Sequence, residues 1–135
     1  SAEFRKVHQF TTFAVSTPMQ YGVADFLKSN PEFCDELPAF YQRKRDHFCD
    51  LLSGSRFKLR PTRSTFFQVL DYGELSDEAD ELLAKRWTRE LGVASIPLSV
   101  FCESPFTGTR LRFCFAKDDA TLEQAAARMC ALGAA

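Results

Sequence analysis

The sequence has no CxxC pair, two histidines, one tryptophan, and almost no charge imbalance. Each shortage excludes something. Five cysteines occur, Cys34, Cys49, Cys102, Cys114 and Cys130. An odd count without a CxxC pair supports neither a disulfide framework nor a zinc ribbon. Each follows an apolar residue, a setting in which free Cys behaves as a small hydrophobe. Reduced, mostly buried thiols and a cytoplasmic protein are therefore expected. His8 has no metal-ligand residue three or four positions on, and His47 has only Asp50, so no metal site is expected. Seventeen basic against eighteen acidic residues give a net charge of -1. No basic excess is available to neutralise a phosphate backbone, which speaks against a nucleic-acid partner. No apolar run approaches the roughly 18 residues of a membrane span. Ser1 to Lys6 is followed by polar residues, not by the apolar stretch of a signal peptide.

What is present is a globular composition, 45% hydrophobic and 26% charged over 135 residues. That length can bury one core without covalent staples. Phenylalanine is abundant, with fourteen copies. The opening at Ser1, without an initiator methionine and in what reads as mid-element, gives the expectation of a piece of a longer chain.

Apolar periodicity outlines the elements. Thr17-Pro18-Met19-Gln20 reads as a capping box with Pro at the first helical position. A second, long helix from Pro31 to Ser53 carries Phe33, Leu37, Phe40, Tyr41, Phe48, Leu51 and Leu52 at helical spacing. Pro38 should kink or split it. The basic cluster Arg43-Lys44-Arg45 on this helix reads as a solvated face, with Lys44 snorkelling. Phe57 and Leu59 alternate with basic residues, as in an edge strand. Thr65 to Asp71 reads as an interior strand, with Phe66 and Phe67 packed in the core. Ser76-Asp77-Glu78 opens a helix with Ala79, Leu82, Leu83, Trp87 and Leu91 on its apolar face, ended by Gly92. Val93 to Ile96 is a short strand closed by Pro97, and a long loop, Leu98 to Thr109, follows. Leu111 to Ala116 is the most apolar strand. Thr121-Leu122-Glu123-Gln124 caps a last helix, which Gly133 ends. The fold expected is α/β, a small mixed or antiparallel sheet with helices packed on one face plus a long kinked helix.

One residue contradicts its strand. By period-two geometry Leu111, Phe113 and Phe115 share one face, and Arg112, Cys114 and Ala116 the other. A half-buried guanidinium needs an anion. An internal ion pair with Asp or Glu is one reading; a bidentate clamp on a ligand carboxylate is the other. Arg110, at the strand entry, faces solvent. The loop Ile96 to Phe101 leads from a strand end toward Arg112 and is either a pocket wall or a cap on the core. No GxSxG, P-loop or GxGxxG occurs. Cys34 or Cys49 with His47 lacks an orienting third group. An amino-acid-binding α/β regulatory module without catalysis remains open. So does an RNA-binding sheet, on the aromatic strand Leu111 to Phe115.

Several segments in order sharpen this picture. Lys6-Val7-His8-Gln9-Phe10-Thr11-Thr12-Phe13, Thr17-Pro18-Met19-Gln20, Phe40 to Asp46, Thr65-Phe66-Phe67-Gln68, Val93 to Phe101 and Leu111 to Lys117 resemble the C-terminal part of class I/II aminotransferases. These are fold-type I enzymes dependent on pyridoxal 5'-phosphate, and the likeness is to the methionine/kynurenine branch. The resemblance implies that Arg112 grips the substrate α-carboxylate. It implies that Phe13 reaches into the partner subunit's pocket, with Ala14 where His is common, and that Ile96, Pro97, Leu98 and Ser99 lie near the substrate. The parent protein would be a homodimer acting on L-amino acids, methionine or aromatic favoured, and 2-oxo acids. Residues 1–30 would be the edge of the large cofactor domain, and 31–135 the small C-terminal domain with the interdomain helix. Ser1 to Ser16, without its neighbours, would fray or pair with another copy. The Schiff-base lysine of the family lies upstream, and Lys6 does not match it. This chain alone is thus expected to be inactive, with no cofactor bound and no catalytic residue of its own.

Overall fold

The computed structural model describes residues 1–132. The order is α1 (Ala2–Thr12), α2 (Thr17–Ser29), α3 (Phe33–Leu51), β1 (Lys58–Leu59), β2 (Phe67–Asp71), α4 (Asp80–Glu90), β3 (Ile96–Pro97), β4 (Arg110–Cys114) and α5 (Asp119–Cys130). A single 3-10 turn, Ser99–Phe101, follows β3. The chain divides into two compact units, Ser1–Pro38 and Ala39–Ala135, and the division falls inside α3. No helix among the described residues is long and apolar enough to cross a membrane.

In the first unit α1 and α2 bury none of their residues. Pro18 stands in the first turn of α2, and the capping residue is Ser16, one position before the sequence signal. Gln20 reaches back to the Val15 carbonyl (2.9 Å) and so does not close a capping box.

The second unit contains a four-stranded antiparallel sheet in the order β1-β2-β4-β3. Its core draws on α3, α4, α5 and one sheet face, including Phe48, Leu70, Leu83, Trp87, Leu111, Phe113, Phe115, Leu122 and Met129. Helices on one face of a small sheet is the layering expected from the sequence. β1 and β3 are edges, and Pro97 belongs to β3, since an edge strand tolerates a missing N–H. Gly133, expected to end α5, lies outside the described residues.

Two helix starts differ from the sequence signals. Ser76 Oγ accepts the Glu78 N–H (3.1 Å), which makes a local turn, and α4 begins only at Asp80. Asp118, not Thr121, caps α5, accepting both the Thr121 N–H and its hydroxyl at 2.8 Å. The cysteines also depart from expectation. Cys49 alone is buried, Cys114 and Cys130 are half-buried, and Cys34 and Cys102 are exposed.

Gly92 ends α4 with φ of +63°. Alanine there carries a left-handed penalty of about 1–2 kcal/mol. Its Cβ would also stand 2.8 Å from an Arg128 nitrogen, the one that donates to the Leu91 carbonyl. Gly92→Ala should therefore lower the urea midpoint without changing the slope of the transition.

Asp71 closes the far end of β2. The Gly73 N–H (2.9 Å), then the Thr109 hydroxyl (2.8 Å), hold its carboxyl below the usual carboxylate range. A carboxylate depressed on folding contributes stability above its unfolded pKa of about 3.9. That contribution is lost as pH falls through the lowered native value. Stability should therefore drop less between neutral and acid pH in Asp71→Asn than in the parent sequence, as urea melts at the two pH values would show.

Candidate functional site

Register determines what faces the second side of the sheet. Gln68 opposes Phe113 and Leu70 opposes Leu111, on the buried side. Val69 and Ile96 stand opposite Arg112 from its two neighbouring strands, and Phe67 stands opposite Cys114. Phe67 is thus a diagonal neighbour of Arg112 on one face. The Arg112 guanidinium carbon lies 4.1 Å from the centre of the Phe67 ring and 5.0 Å from that of Phe101. Both lie within cation–π range.

Among the described residues Arg112 forms no ion pair, and its buried Nε has no hydrogen-bond partner. The internal ion pair considered from the sequence is therefore not found there. Arg110 is exposed, 4.0 Å from Asp71, as expected of the strand entry. A cavity of about 320 Å³ adjoins Arg112, lined also by Ser95, Ile96, Cys114 and Lys117, with Val93, Leu122, Ala125 and Met129.

Of the four expected loop residues, Ile96 pairs with Arg112 and lines the cavity, whereas Pro97, which pairs with Leu111, Leu98, and Ser99, which opens the 3-10 turn, are not among the lining residues. Val100 and Phe101 are exposed, Phe101 by 62%, so this turn does not cap the core. Phe66 and Phe67 likewise leave the core. Phe66 is exposed, and Phe67 is half-buried against Arg112. Phe13 belongs to the first unit, ends α1 at φ of 53°, and is 91% exposed.

Two supports escaped the sequence reading. Gln68 is buried and tethers the segment before β2. Its amide nitrogen donates to the Arg60 and Val69 carbonyls at 2.9 Å, and its oxygen accepts the Thr62 N–H at 3.1 Å. Thr65 follows at φ of 68°, an uncommon conformation for a β-branched residue, immediately before the two phenylalanines. Asp80 is buried, 5% exposed, and accepts the Ser99 N–H at 2.9 Å. Strand alternation places Gln68 on the same face as Leu70, so its burial had a signal. Asp80 had none, because α4 was expected to begin four residues earlier.

Other chemistries fit poorly. Burial pushes the Cys49 thiol up, and Cys49 Sγ lies 3.7 Å from the Gln68 side-chain oxygen, an inert arrangement. His47 faces Glu123 at 3.7 Å and not Asp50. Among the described residues no cluster could hold a metal ion. Lys44 pairs with Asp119 at 2.7 Å, and Arg45 bonds Asp46 and the Thr62 carbonyl, so the basic cluster is not simply a solvated face. Phe113 and Phe115 are buried, which leaves that strand no stacking platform for RNA bases. Lys6, Lys28, Lys58, Lys85 and Lys117 are exposed. The sixth lysine, Lys44, is part-buried and paired with Asp119 at 2.7 Å.

The helices on one face of an antiparallel sheet form the small domain of a fold-type I aminotransferase, and the chain belongs to the family described as aminotransferase class I and II, matched over residues 2–129. It is 46% identical over 129 residues to the methionine aminotransferase of Escherichia coli, covering 96% of this chain and 33% of that protein. A kynurenine–oxoglutarate transaminase 3 from Rattus norvegicus is 29% identical over 140 residues, covering 90% and 31%. The crystal structure of the E. coli enzyme YbdL, whose description identifies a methionine aminotransferase function, superposes with a TM-score of 0.84, covering 97% of this chain and 35% of that one. An N-succinyldiaminopimelate aminotransferase from Mycobacterium tuberculosis, 26% identical, superposes at 0.81, covering 93% and 33%. The chain thus spans about a third of the length of these relatives.

Proposed function

We propose that this chain is the substrate-carboxylate-binding part of a longer, pyridoxal-phosphate-dependent aminotransferase. Arg112 carries the reading. A guanidinium held on an apolar strand, beside two aromatic rings and a cavity and without an ion-pair partner among the described residues, suits a ligand carboxylate. The family's cofactor supplies the electron sink for amino-group transfer, and residues outside this chain would hold it. The chain's own task is to bind and orient. A bidentate grip at Arg112 fixes the α-carboxylate and with it the direction of the Cα–H bond. Ile96, Pro97, Leu98 and Ser99 would wall the side-chain pocket. Their apolar character favours methionine or an aromatic amino acid as donor, with a 2-oxo acid as acceptor.

Phe13 would serve the partner subunit's pocket in a homodimer. The exposed Phe4, Phe10 and Phe13 support a larger assembly, since an apolar surface of this kind calls for a cover. A cytoplasmic location fits the five free thiols.

The test is transamination by the full-length protein that carries this chain, supplied with pyridoxal phosphate, L-methionine and a 2-oxo acid. Formation of the 2-oxo acid of methionine is expected, with none from the 135-residue chain alone. A folded full-length protein that transaminates no amino acid would overturn the reading.

A further inference from the structure

The structure assigns to Asp80 the role of a positioning residue: its buried carboxylate fixes the Ser99–Phe101 turn and so holds the Phe101 ring against the Arg112 guanidinium. This inference rests on the proposed role of Arg112 and extends it to two residues outside that clamp.

Three observations converge. First, no hydrogen bond to Arg112 Nε orients the guanidinium, and no ion pair does so among the described residues. A free arginine side chain loses much of its rotamer entropy when it grips a ligand. What restrains it here is aromatic: Phe67 at 4.1 Å and Phe101 at 5.0 Å. Second, the two rings are unequally secured. Phe67 sits within β2, whereas Phe101 is on a three-residue turn that exposes both its apolar side chains, Val100 and Phe101. Burial therefore does little to hold that turn. Third, one tether links its first residue to the helical layer. Asp80, the first residue of α4, accepts the Ser99 N–H at 2.9 Å from a buried carboxylate. A hydrogen bond to a charged group is among the stronger kinds.

An acid at the start of a helix also favours that helix through its dipole. The two roles separate by chemistry. Asparagine loses the charge and keeps an oxygen that can accept the Ser99 N–H; alanine loses both. The geometry is read in the 135-residue chain by NMR, from the Nε–Hε resonance of Arg112, whose ring-current shift reports Phe101. The function is read in the full-length enzyme, from KM and kcat for L-methionine.

Asp80→Ala should move the Arg112 resonance and raise KM about tenfold, with a smaller change in kcat, as loss of one charge-assisted hydrogen bond implies. Asp80→Asn, which keeps an acceptor oxygen but loses the charge, should move both by less than Asp80→Ala does. If Asp80→Ala fails to fold, Phe101→Leu decides, because that side chain is exposed: it should reproduce the resonance shift and the rise in KM. An unmoved resonance in both variants, or equal damage from Asp80→Asn and Asp80→Ala, would overturn the positioning role. If Arg112→Ala raises KM while Asp80→Ala and Phe101→Leu do not, the positioning role alone fails. If Arg112→Ala leaves KM unchanged, the carboxylate clamp fails and takes the positioning role with it.

Discussion

Replacing Arg112 with alanine in the full-length enzyme should lower kcat/KM for L-methionine by about two to three orders of magnitude. The size follows from what is removed. A carboxylate in a partly desolvated site would lose both arms of a charge-assisted pair, and no other cation among the described residues is placed to replace them. Arg110 is exposed and directed toward Asp71, 4.0 Å away. Lys117 lines the same cavity, but it is exposed and follows the end of β4, so it cannot reproduce a fork held between rings. Arg112→Lys is the informative companion. It keeps the charge and loses the planar fork, so it should recover part of the lost activity and leave the substrate poorly oriented. Both kcat and KM should worsen in the alanine variant, because the proposed grip would both bind the substrate and aim its Cα–H bond. Steady-state kinetics over a series of methionine concentrations would show this, and an unchanged kcat/KM would remove Arg112 from the substrate site.

Arg112 was legible because strand alternation is strict. A single charged residue between Leu111 and Phe113 must face away from the core, and the register confirms that it does. Its aromatic neighbours were not legible for the same reason. Phe67 meets Arg112 through pairing between β2 and β4, and Phe101 through the return of a turn, neither of which periodicity encodes. Read singly, a phenylalanine on or near an apolar strand belongs in the core. Both phenylalanines on β2's entry and the one on the turn lie elsewhere.

Asp80 illustrates a different failure. Ser76-Asp77-Glu78 has the composition of a helix start, but Ser76 bonds the Glu78 N–H, and the Tyr72 hydroxyl donates to the Glu78 carbonyl at 2.8 Å. That carbonyl is engaged outside the helix, so the first turn slips to Asp80. A helix begun at Ser76 would have made Asp80 an ordinary residue of its second turn. Tertiary contacts with a buried tyrosine thus decided the boundary that brought Asp80 to the Ser99 amide. Burial, and the acids Asp80, Glu78 and Asp71 near it, push the Tyr72 phenol up to about 12, which keeps it a neutral donor there.

Trp87→Ala should be the most destabilising single substitution in the second unit, at about 3–5 kcal/mol. Trp87 is 3% exposed on the buried face of α4. Its ring meets Phe57 edge-on at 5.7 Å and Tyr72 at 6.0 Å, the one residue adjacent to β1 and the other to β2. Truncation would open a cavity between helix and sheet that the two remaining rings cannot fill by collapse, and the loss of two edge-to-face contacts adds to the transfer cost. The same helix provides the control. Leu82 was placed on the apolar face by its spacing but is 58% exposed, so Leu82→Ala should change stability by no more than about 0.5 kcal/mol. Urea unfolding followed by circular dichroism would compare the two variants, since Trp87 is the only tryptophan and its fluorescence disappears with it. Nearly equal midpoints for the two would mean that α4 does not bind the sheet through Trp87. In that case Asp80, on the same helix, would lack the rigid anchor from which to hold the turn beside Arg112.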